Sequence, residues 1–222
     1  AAEFKTTNND DTIGWIRIPN TNVDYPVVYK AGVENYAYYE SKGYDKQYSK
    51  DGVIWADYEC TFPELSQNTT LYGHNWHNIY TPRTQANMQA NDLMFSLVMS
   101  YNYTDFAQEN PFVYFSTTEQ DYVFQVFASY YTDLNFGYNY AQMSQEDFQK
   151  VIAEAKAKSL SNYNVPVTSE DKIVTLSTCT RVHGNTNNQR FVVMAKLVPV
   201  GTPSTTISTH SNPIAYNSSI DA

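Results

Sequence analysis

Short runs that alternate apolar with polar residues, or are apolar throughout, recur along the chain and are broken by Asn, Gly and Pro. Ile13 to Pro19 and Val23 to Lys30 read as two strands around an Asn-rich turn at Asn20 to Asn22. Gly52 to Tyr58 and Asn68 to Asn75 read as two more, with a Pro63-containing connection between them and Gly73 closing the second. Asn110 to Thr117 and Gln120 to Tyr131 alternate on either side of Thr118 and Glu119, the signature of a hairpin. Asp171 to Val198, "DKIVTLSTCTRVHGNTNNQRFVVMAKLV", reads as two strands joined by a polar loop, with Cys179 where the first stops.

Two stretches have helical spacing instead. Over Asp92 to Tyr103 the stripe of Leu93, Leu97 and Val98, widened by Met94 and Phe95, predicts a short packing helix. The clearer helix opens at Ser144, where "SQED" has the form of a capping box with Asp147 in place of Glu, and runs to about Leu160. Phe148, Val151, Ile152 and Ala155 form its apolar face, and Glu154 and Lys158 are spaced for an ion pair on its outer surface. Pro166 interrupts before the last two strands, and Gly201 to Ala222 reads as an extended, poorly packed tail. About eight strands with one long helix inserted late predict a mainly β fold, an antiparallel barrel-like sheet with peripheral helices.

Composition narrows the class. The chain of 222 residues suits one domain with a real core. Twenty tyrosines and eleven phenylalanines favour strands. A net charge of -9 argues against nucleic acid and anionic membrane surfaces as partners, because nothing would neutralise phosphates over a broad face. Two cysteines exclude a disulfide framework, leaving at most one Cys60–Cys179 bridge. No run of about 18 apolar residues is present, and the polar start lacks the regions of a signal peptide.

The residues with chemistry stand at strand ends: His74 after "TTLYG", Cys179 after "KIVTLST" and Arg190 before "FVVMAKLV". Acyl transfer needs a nucleophile, a base and a cationic oxyanion stabiliser, and these three residue types supply them. A cysteine at a strand end also fits as a small buried residue, and the residues alone leave both readings open. His74 and His77, with His183 or Cys179, have donors that suit zinc, but no further ligand pattern completes the set, and none is expected. His183 reads as a solvated loop residue, His210 as incidental, and Cys60 as structural. No phosphate loop or other cofactor motif is present, so no cofactor is expected.

Together, "TLSTC" at Thr175 to Cys179, "LYGHN" at Leu71 to Asn75 and "RFVVMAKLV" at Arg190 to Val198 resemble the sortases, cysteine transpeptidases of Gram-positive cell surfaces. "IGWIRIPNTNVDYPVV" and "DGVIWADY" extend the resemblance over roughly residues 11 to 199, and the long helix before the cysteine strand is similar to class B members. The resemblance implies the eight-stranded sortase-type β-barrel with an N-terminal helix and the long helix inserted before the catalytic strand. Its expected divisions are an N-terminal extension at 1–10, a catalytic domain at 11–200 and a tail at 201–222.

By the same resemblance His74, Cys179 and Arg190 would be catalytic, and Ser177, Thr178 and Thr180 would meet substrate, the Thr180 amide serving the oxyanion. Arg181 is a second arginine near the cysteine; Arg190 is chosen because it opens the last strand. The implied partners are the NPxTx-like sorting-signal peptide of a surface protein and an amine of peptidoglycan precursor or cross-bridge. The expected setting is a monomeric ectodomain at the extracellular face of the plasma membrane, its anchor outside this sequence. Alternatives are a pilin-polymerising sortase, disfavoured because no lid is evident in residues 1–50, or a non-catalytic wall-peptide binding module.

Overall fold

The computed structural model describes residues 9–218. The alternating runs become β1 (Thr12–Arg17), β2 (Asp24–Val28), β3 (Ile54–Ala56), β4 (Asn68–Tyr72), β5 (Phe112–Thr117) and β6 (Asp121–Asp133). After the long helix come β7 (Ser161–Tyr163), β8 (Ile173–Cys179), β9 (Gln189–Val198) and β10 (Ile207–Thr209). Eight of these close into a barrel in the order β1-β2-β3-β4-β8-β9-β6-β5. Closure removes every open edge of that sheet. Inward residues such as Ile16, Val27, Ile54, Leu71, Phe115, Phe124, Leu176 and Val193 fill the barrel and are fully buried.

The pairings are antiparallel except β2 with β3 and β4 with β8. A parallel pair cannot be closed by a tight turn and needs a crossover. Between β4 and β8 that crossover holds β5, β6 and both α-helices, α1 (Thr104–Glu109) and α2 (Gln145–Lys158). Ser144 caps α2, its Oγ accepting from the Asp147 amide at 3.1 Å. Phe148, Ile152 and Ala155 are buried, and the helix packs on β6. Among the described residues no helix precedes β1, and residues 1–8, where an N-terminal helix would begin, lie outside them. No helix of the described residues is long and apolar enough to cross a membrane.

Three expectations need correction. The stretch 92–103 is not one helix: Asp92 is buried as a loop anchor, paired with Arg83 at 2.8 Å and accepting the Gln89 amide. Met94 has φ of 51°, and the chain turns into a 3₁₀ segment, Ser96–Asn102, only after it. Glu154 and Lys158 do pair, at 3.5 Å, but their side chains are only 10% and 1% exposed rather than on an outer surface. The tail covers them: Lys158 Nζ donates to the carbonyl oxygens of Ala215, Tyr216 and Ser218. The tail is therefore packed, with β10 paired to β7 and Ile207 buried. Its polar composition hid the residues that hold it down.

Candidate active site

The row of chemistry follows from strand register. Along β4 and β8 each paired residue is offset by the same interval, Asn68 with Ile173 through Tyr72 with Ser177, which is 105 positions. His74, two residues past the end of β4, and Cys179, the last residue of β8, differ by that same interval, and both line one cavity. Strands pair at about 4.8 Å, and residues in register face the same side. On the other flank β8 is antiparallel to β9, and Cys179 is the direct partner of Arg190. Base, thiol and guanidinium thus occupy one rim across β4, β8 and β9.

All three line a cavity of about 430 Å³. Ser177, Thr178 and Tyr72 form its floor; Leu134, Phe136, Tyr138 and Asn139, from the segment between β6 and α2, form one wall. Tyr36, Ala37 and Glu40, from residues 1–50, line it as well. The segment between β6 and α2 reaches the cavity because β6 is the long strand that ends at this rim, with Thr132 paired to Arg190.

His74 is held from several sides. Its Nε2 donates to the Glu40 carbonyl oxygen at 2.6 Å. Its ring lies 5.5 Å from Trp55 and 5.2 Å from Trp76, and Lys50 sits over the far indole. Gly52 adopts φ of 69°, and a Cβ there would come 2.9 Å from His74 Cδ2, so only glycine fits both the backbone and the ring. Gly73, just before the histidine, leaves no room for a Cβ against Ile54 and Phe95. Glu40, Trp55, Trp76 and Gly52 escaped the sequence reading; an indole two residues after His74 was the one available hint.

Cys179 is half-buried with a free thiol, and Asn75 Nδ2 donates to its carbonyl oxygen at 3.4 Å. Cys60 is also free, fully buried behind β4, and burial pushes its thiol up to about 12. The possible bridge between them is absent. Arg190 Nη1 donates to the carbonyl oxygens of Asn187 and Gln189, each at 2.9 Å, which leaves its other donors for the cavity. Arg181 points elsewhere, to Asn187 Oδ1 at 2.6 Å and Tyr80, and does not line the cavity.

The three expected substrate residues differ. Ser177 lines the cavity but its hydroxyl is shared with Tyr138 at 2.8 Å. Thr178 also lines it, while its hydroxyl donates to the Gly73 carbonyl oxygen and ties β8 to β4. Thr180 is outside the lining: its amide donates to Gln189 O at 3.3 Å and its hydroxyl to Ile79 O. That amide is engaged, whereas Arg190 lines the cavity. Deeper in, Tyr72 donates to Asp57 Oδ2 at 2.7 Å and the Glu59 amide to Oδ1, while burial raises the carboxyl. His183 lies against Tyr131 and Tyr216, away from His74 and His77. Among the described residues no three His, Cys, Asp or Glu side chains converge as a metal group.

A thiol that shares one cavity with an imidazole and a guanidinium can carry out acyl transfer through a thioester. The comparisons agree with that chemistry. The sortase domain family model matches residues 16–198. Sortase B of Staphylococcus aureus is 30% identical over 193 residues, covering 86% of this chain and 72% of the relative. Sortase B of Listeria monocytogenes is 29% identical over 191 residues, covering 86% and 71%. Among solved structures, the S. aureus sortase B–substrate complex matches with a TM-score of 0.71 at 29% identity, covering 87% of this chain and 82% of that one. Clostridium perfringens sortase B matches at 0.70 and 27% identity, covering 86% and 96%. The chain therefore belongs to the sortase family, as a cysteine transpeptidase of the class B type.

Proposed function

We propose that the enzyme cleaves an NPxTx-like sorting signal of a surface protein and transfers the acyl part to an amine of peptidoglycan precursor or cross-bridge. The observation that carries this is the single row of His74, Cys179 and Arg190 across three paired strands at the cavity rim. Relatives support the partners: S. aureus sortase B has been solved as a substrate complex, and a sortase B complexed with triglycine matches this fold.

The Cys179 thiolate attacks the carbonyl carbon after the threonine-like residue, and Arg190 donates to the oxyanion that forms. Collapse of the tetrahedral adduct breaks the peptide C–N bond as protonated His74 gives its proton to the departing amine. A thioester remains. The acceptor amine then attacks this thioester, losing its proton to His74, and expels the Cys179 thiolate. Because the peptide bond's energy is kept in the thioester, no nucleotide is consumed. Ser177 and Thr178 contribute the backbone floor under the peptide, their hydroxyls being committed within the fold. The working site would be the outer face of the plasma membrane.

The test is a panel of quenched fluorescent peptides, with and without amine acceptors, and products identified by mass spectrometry. Cleavage after threonine with transfer to the amine is expected, and Cys179→Ala should abolish it with the fold intact. Turnover retained in that variant refutes the assignment.

A further inference from the structure

The family match ends at residue 198, yet the chain continues and returns to the loop between β8 and β9. From the end of β9 it runs past α1, where Gln108 Nε2 donates to Thr205 O and the Ile207 amide to Gln108 Oε1 at 2.7 Å. It pairs as β10 with β7, and the His210 and Ile214 amides donate to the carbonyl oxygens of Leu160 and Ala157 at the end of α2. The buried ammonium of Lys158 then takes three carbonyls of the tail, those of Ala215, Tyr216 and Ser218. That anchoring aims the Tyr216 ring at the loop between β8 and β9. It stacks on His183 with centroids 4.5 Å apart and planes 10° from parallel. The edge of His183 meets Tyr131 of β6 at 4.8 Å, and Tyr131 in turn packs on Phe191, the residue after Arg190.

Within this loop the contacts continue to the guanidinium. The His183 amide donates to Gln189 Oε1 at 3.0 Å, and buried Gln189 donates through Nε2 to Gly184 O and Thr186 Oγ1. The carbonyl oxygens that orient Arg190 belong to Asn187 and Gln189, the end of the same loop. We infer that residues 201–218 are a strap, and that Tyr216 is a positioning residue: by stacking on His183 it fixes the loop whose carbonyls aim Arg190 into the cavity. The inference rests on reading Arg190 as the oxyanion donor. No strap residue lines the cavity, so the strap acts through the loop and not on the peptide.

The experiment compares Tyr216→Ala and Tyr216→Phe, alone and combined with Arg190→Lys. It reads kcat and KM per titrated Cys179, and amide exchange across 181–190. Tyr216→Ala should lower kcat by about threefold to tenfold, the range an aromatic pair can carry. KM should move by less than about twofold, since peptide contacts are untouched. The His183 and Gly184 amides should exchange faster. Tyr216→Phe should behave as the parent, because the Tyr216 hydroxyl makes no hydrogen bond among the described residues. With Arg190→Lys already present, Tyr216→Ala should add no further loss in kcat, since contacts that act as a unit are non-additive. Parental kcat in Tyr216→Ala, or a full additional loss in the Arg190→Lys background, overturns the strap's role. Full activity of Arg190→Lys alone would instead overturn the reading of Arg190; the exchange rates would still decide whether Tyr216 holds the loop.

Discussion

Replacing Arg190 by lysine keeps the charge and removes the fork. In the parent, Nη1 is spent on two carbonyl oxygens at 2.9 Å each, and the remaining donors face the cavity beside Cys179. A lysine ammonium is one compact centre, so it cannot hold both carbonyls and reach an oxyanion at once. Loss of one well-placed oxyanion donor costs about 2.7–4 kcal/mol, or roughly 10²–10³ in kcat. The retained charge recovers part of this through space, which puts Arg190→Lys near the lower end, at about 10². Stability should suffer far less: two partly exposed hydrogen bonds are worth at most about 2 kcal/mol. For a chain of this size that lowers Tm by about 4–8 °C and leaves the enzyme folded at 25 °C. Arg181→Lys is the matched control, since that guanidinium only bridges Asn187 and Tyr80 outside the cavity. Its kcat should stay within about threefold of the parent, as for other surface changes. The assay is steady-state cleavage of a quenched NPxTx-type peptide, with thermal unfolding of each variant alongside. An Arg190→Lys enzyme within threefold of parental kcat, or an Arg181→Lys enzyme a hundredfold down, refutes the reasoning.

Two further predictions concern Gly52, which packs against His74, and Asp57, which lines the same cavity. Gly52→Ala forces a Cβ to 2.9 Å from His74 Cδ2 and places alanine at φ of 69°, a left-handed conformation costing about 1–2 kcal/mol. The ring must shift, so kcat should fall at least about tenfold while KM changes little, given how steeply rate depends on alignment; parental kcat would show that His74 has slack there. Asp57 has its carboxyl raised by burial, so the folded state holds that proton more tightly than the unfolded state. Its contribution to stability is complete below the unfolded carboxyl value of about 3.9 and is lost as pH climbs through the raised folded value. Urea midpoints taken upward from about pH 4 should therefore decline for this group in the parent, and Asp57→Asn should lack that component; identical slopes in the two proteins would contradict it.

Much of this architecture was legible because each barrel strand has one buried face, which writes a period of two into the sequence. The helix α2 announced itself through Ser144 and the spacing of Phe148, Ile152 and Ala155. The helix expected over 92–103 failed for a reason periodicity cannot carry: Asp92 prefers a buried pairing with Arg83, more than one turn upstream, and Met94 then leaves helical dihedrals. The outward ion pair of Glu154 and Lys158 failed because its environment is made by residues 215–218, 57 to 60 positions beyond the lysine. Of the site, the three strand-end residues could be named, but their adjacency could not be derived from composition or local pattern. What holds His74 is mostly backbone and aromatic surface, the Glu40 carbonyl, Gly52 and two indoles, of which only Trp76, two residues on, left a hint in the sequence.

The constant 105-residue offset between β4 and β8 also bears on how the enzyme comes into being. During synthesis from the N-terminus, His74 emerges long before Cys179, and no local segment can bring them level. The two meet only when the whole excursion of β5, β6 and α2 has folded back and let β8 zip in parallel beside β4. Pairings of such separation form slowly, because the loop-closure entropy must be met before the contacts reward it. A nascent or partly unfolded chain therefore lacks the juxtaposition of His74, Cys179 and Arg190, which exists only in the closed barrel. On the proposed reading of the site, catalytic competence is in this sense a report on complete folding.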